Sequence, residues 1–310
     1  MRLPAVGVVL GALLAIAGPA SAAPSFPSPA TARATAQSAG QHLVVHGFTP
    51  RPAGVHMPTA QVASYNSAWS GWSTNPITTT PPYPSGNPIY VQTSFTVPTA
   101  DCAAARYGAN GNEAVFWAGL DGTNLSSRLE QTGTGESCSQ GTPNYWAWYE
   151  WYPAAPVVFG GVRPGDSIHV QLGEYESNGA YYYTAYLADS TSGGYFSAVS
   201  PPCTSACVVP PSSAEVITEA PGGGPSRGWD LTPFSGGPNY SFTAVKADDA
   251  GSLSAGTWYY LAGDKPGYWT TTEQIQTDTG TSSGTALAPP SALDATGSFN
   301  TPFQYAGPAR

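Results

Sequence analysis

The amino-acid sequence predicts an all-β protein, an antiparallel sandwich in which two large sheets pack face to face. Three observations lead to this prediction. Beyond residue 60 the chain consists of short runs rich in Tyr, Trp, Val and Thr, interrupted by Gly, Pro, Asn and Ser. No stretch in that region keeps a helical period of apolar residues. Charged residues make up only 9% of the chain and aromatic residues 12%, a balance that favours strands.

Ten segments are predicted as strands. They are residues 90–97, 114–119, 127–131, 145–152, 167–175, 181–189, 214–219, 240–247, 258–262 and 272–277. Ten or more strands without helical crossovers imply antiparallel pairing in a sandwich. The chain has no internal repeat of fixed period, which argues against a propeller or a solenoid.

Residues 1–22 are predicted to be a secretory signal peptide. Arg2 precedes an apolar run that is too short to span a membrane comfortably. The small residues Ala20-Ser21-Ala22 then offer a cleavage site, with Pro24 just beyond. No later segment is long and apolar enough to be a membrane helix. We therefore expect an exported, extracellular protein that has no membrane partner once the signal is removed.

Residues 23–60 differ in composition from the rest of the chain, because they contain no acidic residue. They hold two arginines and three of the four histidines: Arg33, Arg51, His42, His46 and His56. One interpretation is a disordered linker. The interpretation that we favour is a removable pro-segment, basic so that it docks on an acidic domain. Its central LVVHGF sequence, residues 43–48, could pair as a strand.

Residues 61–310 are assigned to a single acidic domain. All 19 Asp and Glu lie there with seven of the ten Lys and Arg, and seven minus 19 gives a net charge of −12 with His neutral. This balance excludes nucleic acid and anionic membrane surfaces as partners. A domain of this length buries a core without help. Few of its carboxylates can be paired, which suits work at acid pH, since acid destroys carboxylate salt bridges.

The four cysteines are expected to form two disulfides, as is usual in an exported chain. Of the three possible connectivities we favour Cys102–Cys138, between neighbouring strand ends, and Cys203–Cys207, which closes a tight loop. No metal or cofactor site is expected. The cysteines lack a second pair with zinc spacing, and His169 is the one histidine left in the domain.

Most hydrolase chemistries are excluded by the residues that the domain lacks. A Ser-His-Asp or Cys-His site would have His169 as its one candidate base, and no nucleophile-elbow motif occurs. The HExxH motif of zinc hydrolases is missing. A two-aspartate site would need a second copy of Asp278-Thr279-Gly280. Carboxylates, amides and aromatic residues remain as the reactive groups.

The stretch 114–133, AVFWAGLDGTNLSSRLEQTG, is predicted to form two strands joined through a Leu-Asp-Gly turn. Strand alternation places Trp117 with Val115 on one face, and Gln131 with Leu129 on one face. A glutamine among core-type residues costs desolvation free energy unless its amide finds partners. From this stretch alone, Gln131 is interpreted as a satisfied structural amide.

The aromatic strand 145–152 carries one acidic residue. Alternation places Glu150 on the same face as Trp146, Trp148 and Tyr152, so its carboxyl needs a wet cleft or a partner.

In the strand 214–219, alternation places Glu215, Ile217 and Glu219 on one face. Glu219 ends this strand directly before a glycine-rich loop. Considered alone, each of these glutamates is interpreted as solvated rather than catalytic.

Five motifs occur in a fixed order along 61–310. They are SAWSG at 67–71, FWAGLDG at 116–122, LEQTG at 129–133, AWYEWYP at 147–153 and AEVITE at 214–219. Together they resemble the glutamic peptidases, or eqolisins, which are secreted acid proteases with a Gln/Glu dyad on a β-sandwich. The 14-residue interval from Trp117 to Gln131 matches our expectation for that family. The chain looks closer to bacterial-type members than to the fungal ones.

The resemblance implies roles for individual residues. Gln131 takes the position of the catalytic glutamine and Glu219 that of the catalytic glutamate. Trp117 matches the substrate-contacting tryptophan, and the other residues expected around the site are Asp121, Glu150, Trp148 and Tyr152. The implied fold is a lectin-like, jelly-roll type sandwich with the dyad on a concave face. The implied protein is a monomeric zymogen that cleaves protein or peptide substrates, with its own pro-segment as a possible inhibitor.

The sequence departs from the family pattern after Gln131. Many relatives continue Gln-Thr-Gly with an aromatic residue and an aspartate, where this chain has Thr134-Gly135-Glu136. We therefore expect different hydrogen bonding around the dyad or a different neighbouring subsite. The interval from Gln131 to Glu150 is also longer than expected, which predicts an enlarged hairpin tip. The cysteine arrangement differs from that of the fungal members.

Two other classes of protein remain open at the level of sequence. A noncatalytic lectin-like module would use the aromatic face to stack on sugars, but it gives no reason for Gln131 and Glu219 in these motifs. A sandwich-fold glycosidase would use Glu150 and Glu219 as its carboxylate pair. Such an enzyme would ordinarily carry two carboxylates on one strand, a spacing that is absent. Glycosylation sequons occur at Asn124 and Asn239.

Overall fold

Every regular element among the described residues of the computed structural model is a β-strand. These residues are 44–46, 49–51, 65–66, 68–76, 88–105, 112–123, 128–139, 141–203, 211, 213–221, 231–241, 243–246, 259–260, 269–276, 283, 285–294 and 297–304. The strands are β1 (Val44–His46), β2 (Thr49–Arg51), β3 (Tyr65–Asn66), β4 (Trp69–Pro76), β5 (Pro88–Thr96), β6 (Thr99–Ala100), β7 (Asn112–Leu120), β8 (Leu129–Ser139), β9 (Thr142–Tyr152), β10 (Val157–Gly160), β11 (Ser167–Ser177), β12 (Ala180–Asp189), β13 (Tyr195–Val199), β14 (Ala214–Glu219), β15 (Phe234–Ser235), β16 (Asn239–Ser241), β17 (Thr243–Lys246), β18 (Tyr259–Tyr260), β19 (Trp269–Gln276) and β20 (Ser298–Asn300).

Two large sheets form the sandwich. The nine-stranded sheet has the order β2-β10-β9-β8-β7-β14-β4-β19-β3, and the seven-stranded sheet has the order β1-β13-β12-β11-β5-β17-β18. Their strands pair antiparallel, except that β3 runs parallel to β19. Two small sheets pair β6 with β15 and β16 with β20. The predicted all-β antiparallel sandwich is confirmed.

The core lies between the facing sides of the two sheets. The ring of Phe116 on β7 lies 6.4 Å from that of Phe95 on β5. The ring of Tyr149 on β9 lies 5.6 Å from that of Phe196 on β13. Because successive side chains of a strand point to opposite faces, Trp117 points away from the seven-stranded sheet. The outer face of the nine-stranded sheet is therefore the face that carries Trp117.

The hairpin of β8 and β9 corrects one prediction. The sequence predicted a strand that ends at Gln131 and an enlarged tip, but pairing continues without a shift from Leu129–Tyr152 to Ser139–Thr142. Residues 140 and 141 alone separate the strands, and Gly141 has a φ of 75°. Residues 134–139 keep alternating between the two faces, so the extra residues lengthen the two strands. The turn itself is short, and a two-residue turn favours glycine at positive φ.

Other predicted strands differ in extent or number. The segment predicted as one strand at 240–247 is two strands, since β16 pairs with β20 while β17 pairs with β5. The sequence analysis did not predict β4, β10 or β13. These strands are short or rich in Ser, Thr and Gly, so the period-2 signal of hydrophobic residues is weak in them.

Cys102 and Cys138 form the predicted disulfide. Cys203 is also disulfide-bonded, but Cys207 lies outside the described residues, so that pairing stays a prediction. Residues 1–22 and Asn124 lie outside the described residues too, whereas Asn239 is exposed. Among the described residues, no helix has the length and hydropathy needed to cross a membrane.

Two strands lie N-terminal to the predicted start of the domain at residue 61. β1 pairs antiparallel with β13 and places a strand where the LVVHGF sequence predicted one. β2 pairs antiparallel with β10. Residues assigned to the pro-segment thus contribute one edge strand to each sheet of the sandwich.

Glu136 is a buried acidic residue in the interior of the sandwich. It lies opposite Ala114 and Tyr145, on the face of the sheet that packs against the second sheet. Neither carboxyl oxygen has a hydrogen-bond partner among the described residues. Burial raises the pKa of Glu136 well above its ordinary value, because the charged form would lose its hydration. The Thr134-Gly135-Glu136 sequence, where the chain differs from the family pattern, therefore places a carboxyl group with a raised pKa in the core and not on the outer face of the sheet.

We expect Glu136→Gln to stabilise the protein at neutral pH and to change its stability little at pH 3. A carboxyl whose pKa is raised on folding binds its proton more tightly in the folded state. The wild-type free energy of unfolding therefore falls as the pH rises from the unfolded pKa towards the folded pKa. Between the two pKa values the gain grows by about 1.4 kcal/mol for each pH unit. Thermal unfolding at pH 3, 5 and 7 measures this difference.

The matched control is Glu273→Gln, at a half-buried position on β19 of the same sheet. An equal gain from Glu136→Gln at pH 3 and pH 7 would contradict the linkage argument.

Candidate active site

The predicted site residues other than Asp121 lie on the outer face of the nine-stranded sheet, in rows that cross β9, β8, β7 and β14. Gly119 pairs with Gln131 and with Glu215. Trp117 pairs with Gly133 and with Ile217. Val115 pairs with Gly135 and with Glu219. Because cross-strand partners project from the same face, the predicted alternation of all three strands is confirmed.

Gln131 is fully buried, and its amide is hydrogen-bonded on one side. Its Nε2 donates to Oε2 of Glu150, which lies directly opposite on β9, at 2.5 Å. Its Oε1 has no hydrogen-bond partner among the described residues. Gln131 is thus the hydrogen-bond partner that the buried carboxyl of Glu150 requires. One amide hydrogen and the carbonyl oxygen of Gln131 can serve a ligand.

Glu150 has a strongly perturbed carboxyl. Burial raises the pKa of Glu150 to about 7, although the hydrogen bond from Gln131 lowers it. Glu150 is therefore uncharged at acid pH and acquires its charge near neutrality. Such a perturbed pKa beside a buried amide is typical of a functional site.

Glu219 is buried at the end of β14, where it accepts a hydrogen bond from Trp117. The Nε1–H of Trp117 donates to Oε2 of Glu219 at 3.0 Å. The other edge of the Trp117 ring lies over Gly119, where a Cβ atom would stand 2.6 Å from Cζ3. Any larger residue at position 119 would displace the ring. Trp117 thus lies between the row of Gln131 and the row of Glu219.

Gln131 on β8 and Glu219 on β14 are two strand spacings apart, with β7 between them, and their partners on β7 are four residues apart. In a flat sheet this offset sets their Cα atoms about 17 Å apart. The structure pairs Gln131 with Glu150, and it pairs Glu219 with Trp117. The two proposed dyad residues share a face and flank Trp117.

Further tryptophans line the outer face. Trp148, a predicted site residue, is buried in the same row as Trp117, opposite Gly133. Trp69 lies opposite Glu219, and its ring contacts that of Trp117 edge-on at 5.0 Å. Trp146 lies over Gly135, where a Cβ atom would stand 2.4 Å from Cε2 of the indole.

Neither Trp69 nor Trp146 was predicted as a site residue, although Trp69 belongs to the SAWSG motif and strand alternation places Trp146 on the face of Glu150. Tyr152 is half-buried at the end of β9, opposite Leu129.

Glu215 was also missed as a site residue. It lies in the row of Gln131, with the side-chain-free Gly119 between them. It is fully buried, and burial raises the pKa of Glu215 well above its ordinary value. The alternation of 214–219 was the available signal, because it placed Glu215 and Glu219 on one face.

Asp121 is held by an arginine at the end of the sheet. It follows β7 in the predicted Leu-Asp-Gly turn with a φ of 67°, a backbone conformation that Asp tolerates better than most residues. Its Oδ2 accepts a hydrogen bond from Nη2 of Arg128 at 3.1 Å. The Arg128 guanidinium also lies 3.5 Å from Glu130 and 4.8 Å from the ring centroid of Tyr183 on the other sheet. The predicted site residue Asp121 thus belongs to an ion-pair cluster that joins the two sheets.

Comparisons with known proteins identify a family and similar folds. A profile of the Peptidase A4 family matches residues 67–286. The crystal structure of scytalido-glutamic peptidase with a transition state analog inhibitor is similar, with a TM-score of 0.52 and 19% identity over 77% of this chain and 98% of that chain.

SCP-B, a member of the eqolisin family of peptidases in a complex with a tripeptide, has a TM-score of 0.48 and 19% identity over 77% of this chain and 100% of that chain. Aspergilloglutamic peptidase from Aspergillus niger has a TM-score of 0.40 and 22% identity over 62% of this chain and 99% of that chain. The comparison with curated protein sequences finds no match.

The fold and the family match identify a β-sandwich hydrolase that acts on peptide bonds. Since the profile covers most of the domain, the chain belongs to the peptidase A4 family, the glutamic endopeptidases or eqolisins, as its motifs predicted. The family match favours this class over a lectin-like module. The register also weighs against a glycosidase, because Glu150 and Glu219 are three strands apart. With the four-residue offset along the strands, their Cα atoms are about 20 Å apart in a flat sheet. Two extended side chains of about 5 Å each would still leave about 10 Å between the carboxyl groups, whereas glycosidase carboxyl groups stand about 5–9.5 Å apart.

We expect Glu150→Gln to keep most of the activity at acid pH, because an uncharged carboxyl and an amide both accept the hydrogen bond from Gln131. As the pH rises through about 7, wild-type Glu150 becomes negatively charged beside the reacting centre, so the wild-type rate should fall. The pH profile of kcat/KM should lack this fall in Glu150→Gln. Glu150→Leu serves as the control, since it leaves the Gln131 amide without its partner and should lower the rate at every pH. Identical pH profiles for wild type and Glu150→Gln would contradict this assignment.

Proposed function

We propose that the protein is a secreted endopeptidase that works at acid pH, and that Gln131 and Glu219 act together on one water molecule. The observation that carries this proposal is the placement of both residues on the outer face of one sheet. There Gln131 keeps an unpartnered carbonyl oxygen among the described residues, and Trp117 orients the Glu219 carboxyl.

The proposed reaction divides the chemistry between the two side chains. Glu219 accepts a proton from the water as its oxygen attacks the peptide carbonyl carbon. The free amide hydrogen of Gln131 stabilises the oxyanion of the tetrahedral intermediate, and its carbonyl oxygen holds the water. Glu219 then returns the proton to the leaving nitrogen as the C–N bond breaks. Gln131 is neutral at every pH, so its part does not depend on titration.

The two residues would act on a substrate that lies between them. In a flat sheet their Cα atoms are about 17 Å apart. The Gln131 amide is hydrogen-bonded to Glu150 on the side away from β14, and the Glu219 carboxyl is hydrogen-bonded to Trp117. The reacting peptide and its water would therefore lie over Trp117, between the two side chains.

Acid pH is supported by the buried carboxyl groups. Burial raises the pKa of Glu215 and of Glu150 on the outer face, and that of Glu136 in the core. These groups stay neutral in acid and acquire charge as the pH rises, which disfavours both the site geometry and the fold. The scarcity of basic partners in the domain supports the same conclusion.

We expect the mature protein to cleave denatured casein or haemoglobin at acid pH without inhibition by pepstatin. Glu219→Gln should abolish cleavage, because an amide accepts no proton, while it still accepts the hydrogen bond from Trp117. Gln131→Ala should lower kcat by about a hundred- to a thousandfold, the usual cost of an oxyanion donor. Thermal unfolding of both variants controls for folding. Proteolysis that survives Glu219→Gln, or polysaccharide cleavage without proteolysis, would refute the proposal.

The pro-segment 23–60 is proposed to restrain the enzyme, which would then act as a monomer once activated. Two features support this. The segment is basic while the domain is acidic. In addition, β1 and β2 of the segment each pair with an edge strand of one of the two large sheets.

We expect a synthetic 23–60 peptide to bind the domain more tightly near pH 7 than below about pH 4, where carboxylate partners take up protons. The histidines are charged in acid, but they then face a domain without negative charge. Fluorescence anisotropy with a labelled peptide and the Glu219→Gln protein measures the change. Affinity that stays constant or rises in acid would contradict an electrostatic restraint.

A further inference from the structure

The N-terminal segment contacts both sheets of the sandwich through two short strands. β1 pairs with β13 at one edge of the seven-stranded sheet, with Val44, Val45 and His46 opposite Ser197, Phe196 and Tyr195. β2 pairs with β10 at one edge of the nine-stranded sheet, with Thr49, Pro50 and Arg51 opposite Gly160, Phe159 and Val158. We propose that residues 44–51, here called the clasp, stay bound to the domain after the chain is cut within residues 52–64.

The length of the clasp fits the thickness of the sandwich. Three Cα–Cα steps separate His46, the last residue of β1, from Thr49, the first residue of β2. Three steps of extended chain reach about 10–11 Å. Stacked sheets lie about 10 Å apart. The spacing of β1 and β2 along the chain is therefore compatible with one strand at the edge of each sheet.

The composition of β2 also fits an edge position. Proline has no N–H group and occurs in sheets only at edges, at strand ends or at bulges. Pro50 lies in the middle of β2, which is the outermost strand of its sheet. A central strand at this place would lose one hydrogen bond of its ladder.

Removal of the clasp would expose two strand edges on the same side of the molecule. β10 and β13 would each present unpaired backbone N–H and C=O groups, which are templates for aggregation. Extended peptides that pair with such edges gain affinity from backbone hydrogen bonds. Retention of the clasp keeps both edges covered in the processed enzyme.

The two strands hold the clasp jointly. Each strand has three residues and would bind weakly alone. Once one strand is paired, the other is held close to its own edge, so the second pairing is in effect intramolecular. Because backbone pairing involves no titrating group, the part of the pro-segment's affinity that comes from the clasp should persist in acid, while the electrostatic part becomes weaker.

A cut within 52–64 would separate the clasp from the domain without touching either sheet. The expectation that the chain is cut rests on the interpretation of residues 23–60 as a pro-segment, which is part of the proposed function. It does not rest on the proposed catalytic chemistry.

The test uses the full-length chain with the substitution Glu219→Gln, so that the protein does not cleave itself. A site for a sequence-specific protease is inserted between Pro52 and Ala60. After the cut, the N-terminal piece is expected to co-elute with the domain in gel filtration at pH 7 and at pH 3.5, and to separate only in denaturant. Amide hydrogen exchange of β10 and β13 should be equally slow before and after the cut. Release of the piece under native conditions, with faster exchange of both strands, would overturn the proposal.

A matched pair of variants identifies the binding element. Val44→Pro with Val45→Pro removes two consecutive N–H groups from β1, one of which faces β13 in an antiparallel pair. Ser38→Pro with Ala39→Pro makes the same change outside the clasp. A labelled 41–53 peptide is exchanged into the cut protein and compared with the same peptide carrying Val44→Pro and Val45→Pro. The unsubstituted peptide should bind about tenfold more tightly, because the proline peptide loses one or two hydrogen bonds. If the N-terminal pieces and the peptides are retained equally with and without the prolines in β1, binding does not occur through the strands. The peptide comparison holds even if the full-length proline variant does not fold.

Discussion

The pairing of β7 with β8 on one side and with β14 on the other determines where each group of the site lies. A slip of one residue in either pair would turn Gln131 or Glu219 towards the interior. The interior opposes such a slip, because Phe116 packs against Phe95 of the second sheet and cannot face outwards without loss of buried apolar area. The hydrogen bond from Trp117 to Glu219 depends on the same register. The core of the sandwich and its site are thus held by one set of backbone pairs.

Glycines on the outer face make room for the aromatic side chains. Trp117 lies over Gly119, and Trp146 lies over Gly135. Without these glycines, two large indoles could not lie flat among neighbouring strands about 4.8 Å apart. Gly119 in the Ala-Gly-Leu-Asp sequence and Gly135 in the Thr-Gly-Glu sequence therefore have a steric role. They let the sheet present broad rings beside the polar groups of Gln131, Glu150 and Glu219.

The sequence predicted which face each residue occupies, because a strand alternates with a period of two whatever its partners are. It could not predict which strands are neighbours. Gln131 and Glu150 are 19 residues apart and meet because a hairpin joins them, yet only the register shows that they are directly opposite. Arg128 had no detectable pattern in the sequence. Its role comes from the convergence of Asp121, Glu130 and Tyr183 from different strands. The burial of Glu136 between the sheets was likewise invisible, since an exposed glutamate produces the same alternation.

The two-residue tip of the β8–β9 hairpin limits how this region can change in length during evolution. With that tip retained, every residue added to β8 needs a partner added to β9, so the interval between Gln131 and Glu150 grows in steps of two. A single inserted residue would turn Glu150 to the interior and leave the Gln131 amide without its acceptor, unless a bulge absorbed it. Length variation between relatives at this hairpin should therefore be even-numbered, and an odd-numbered difference should mark a bulge or a longer turn.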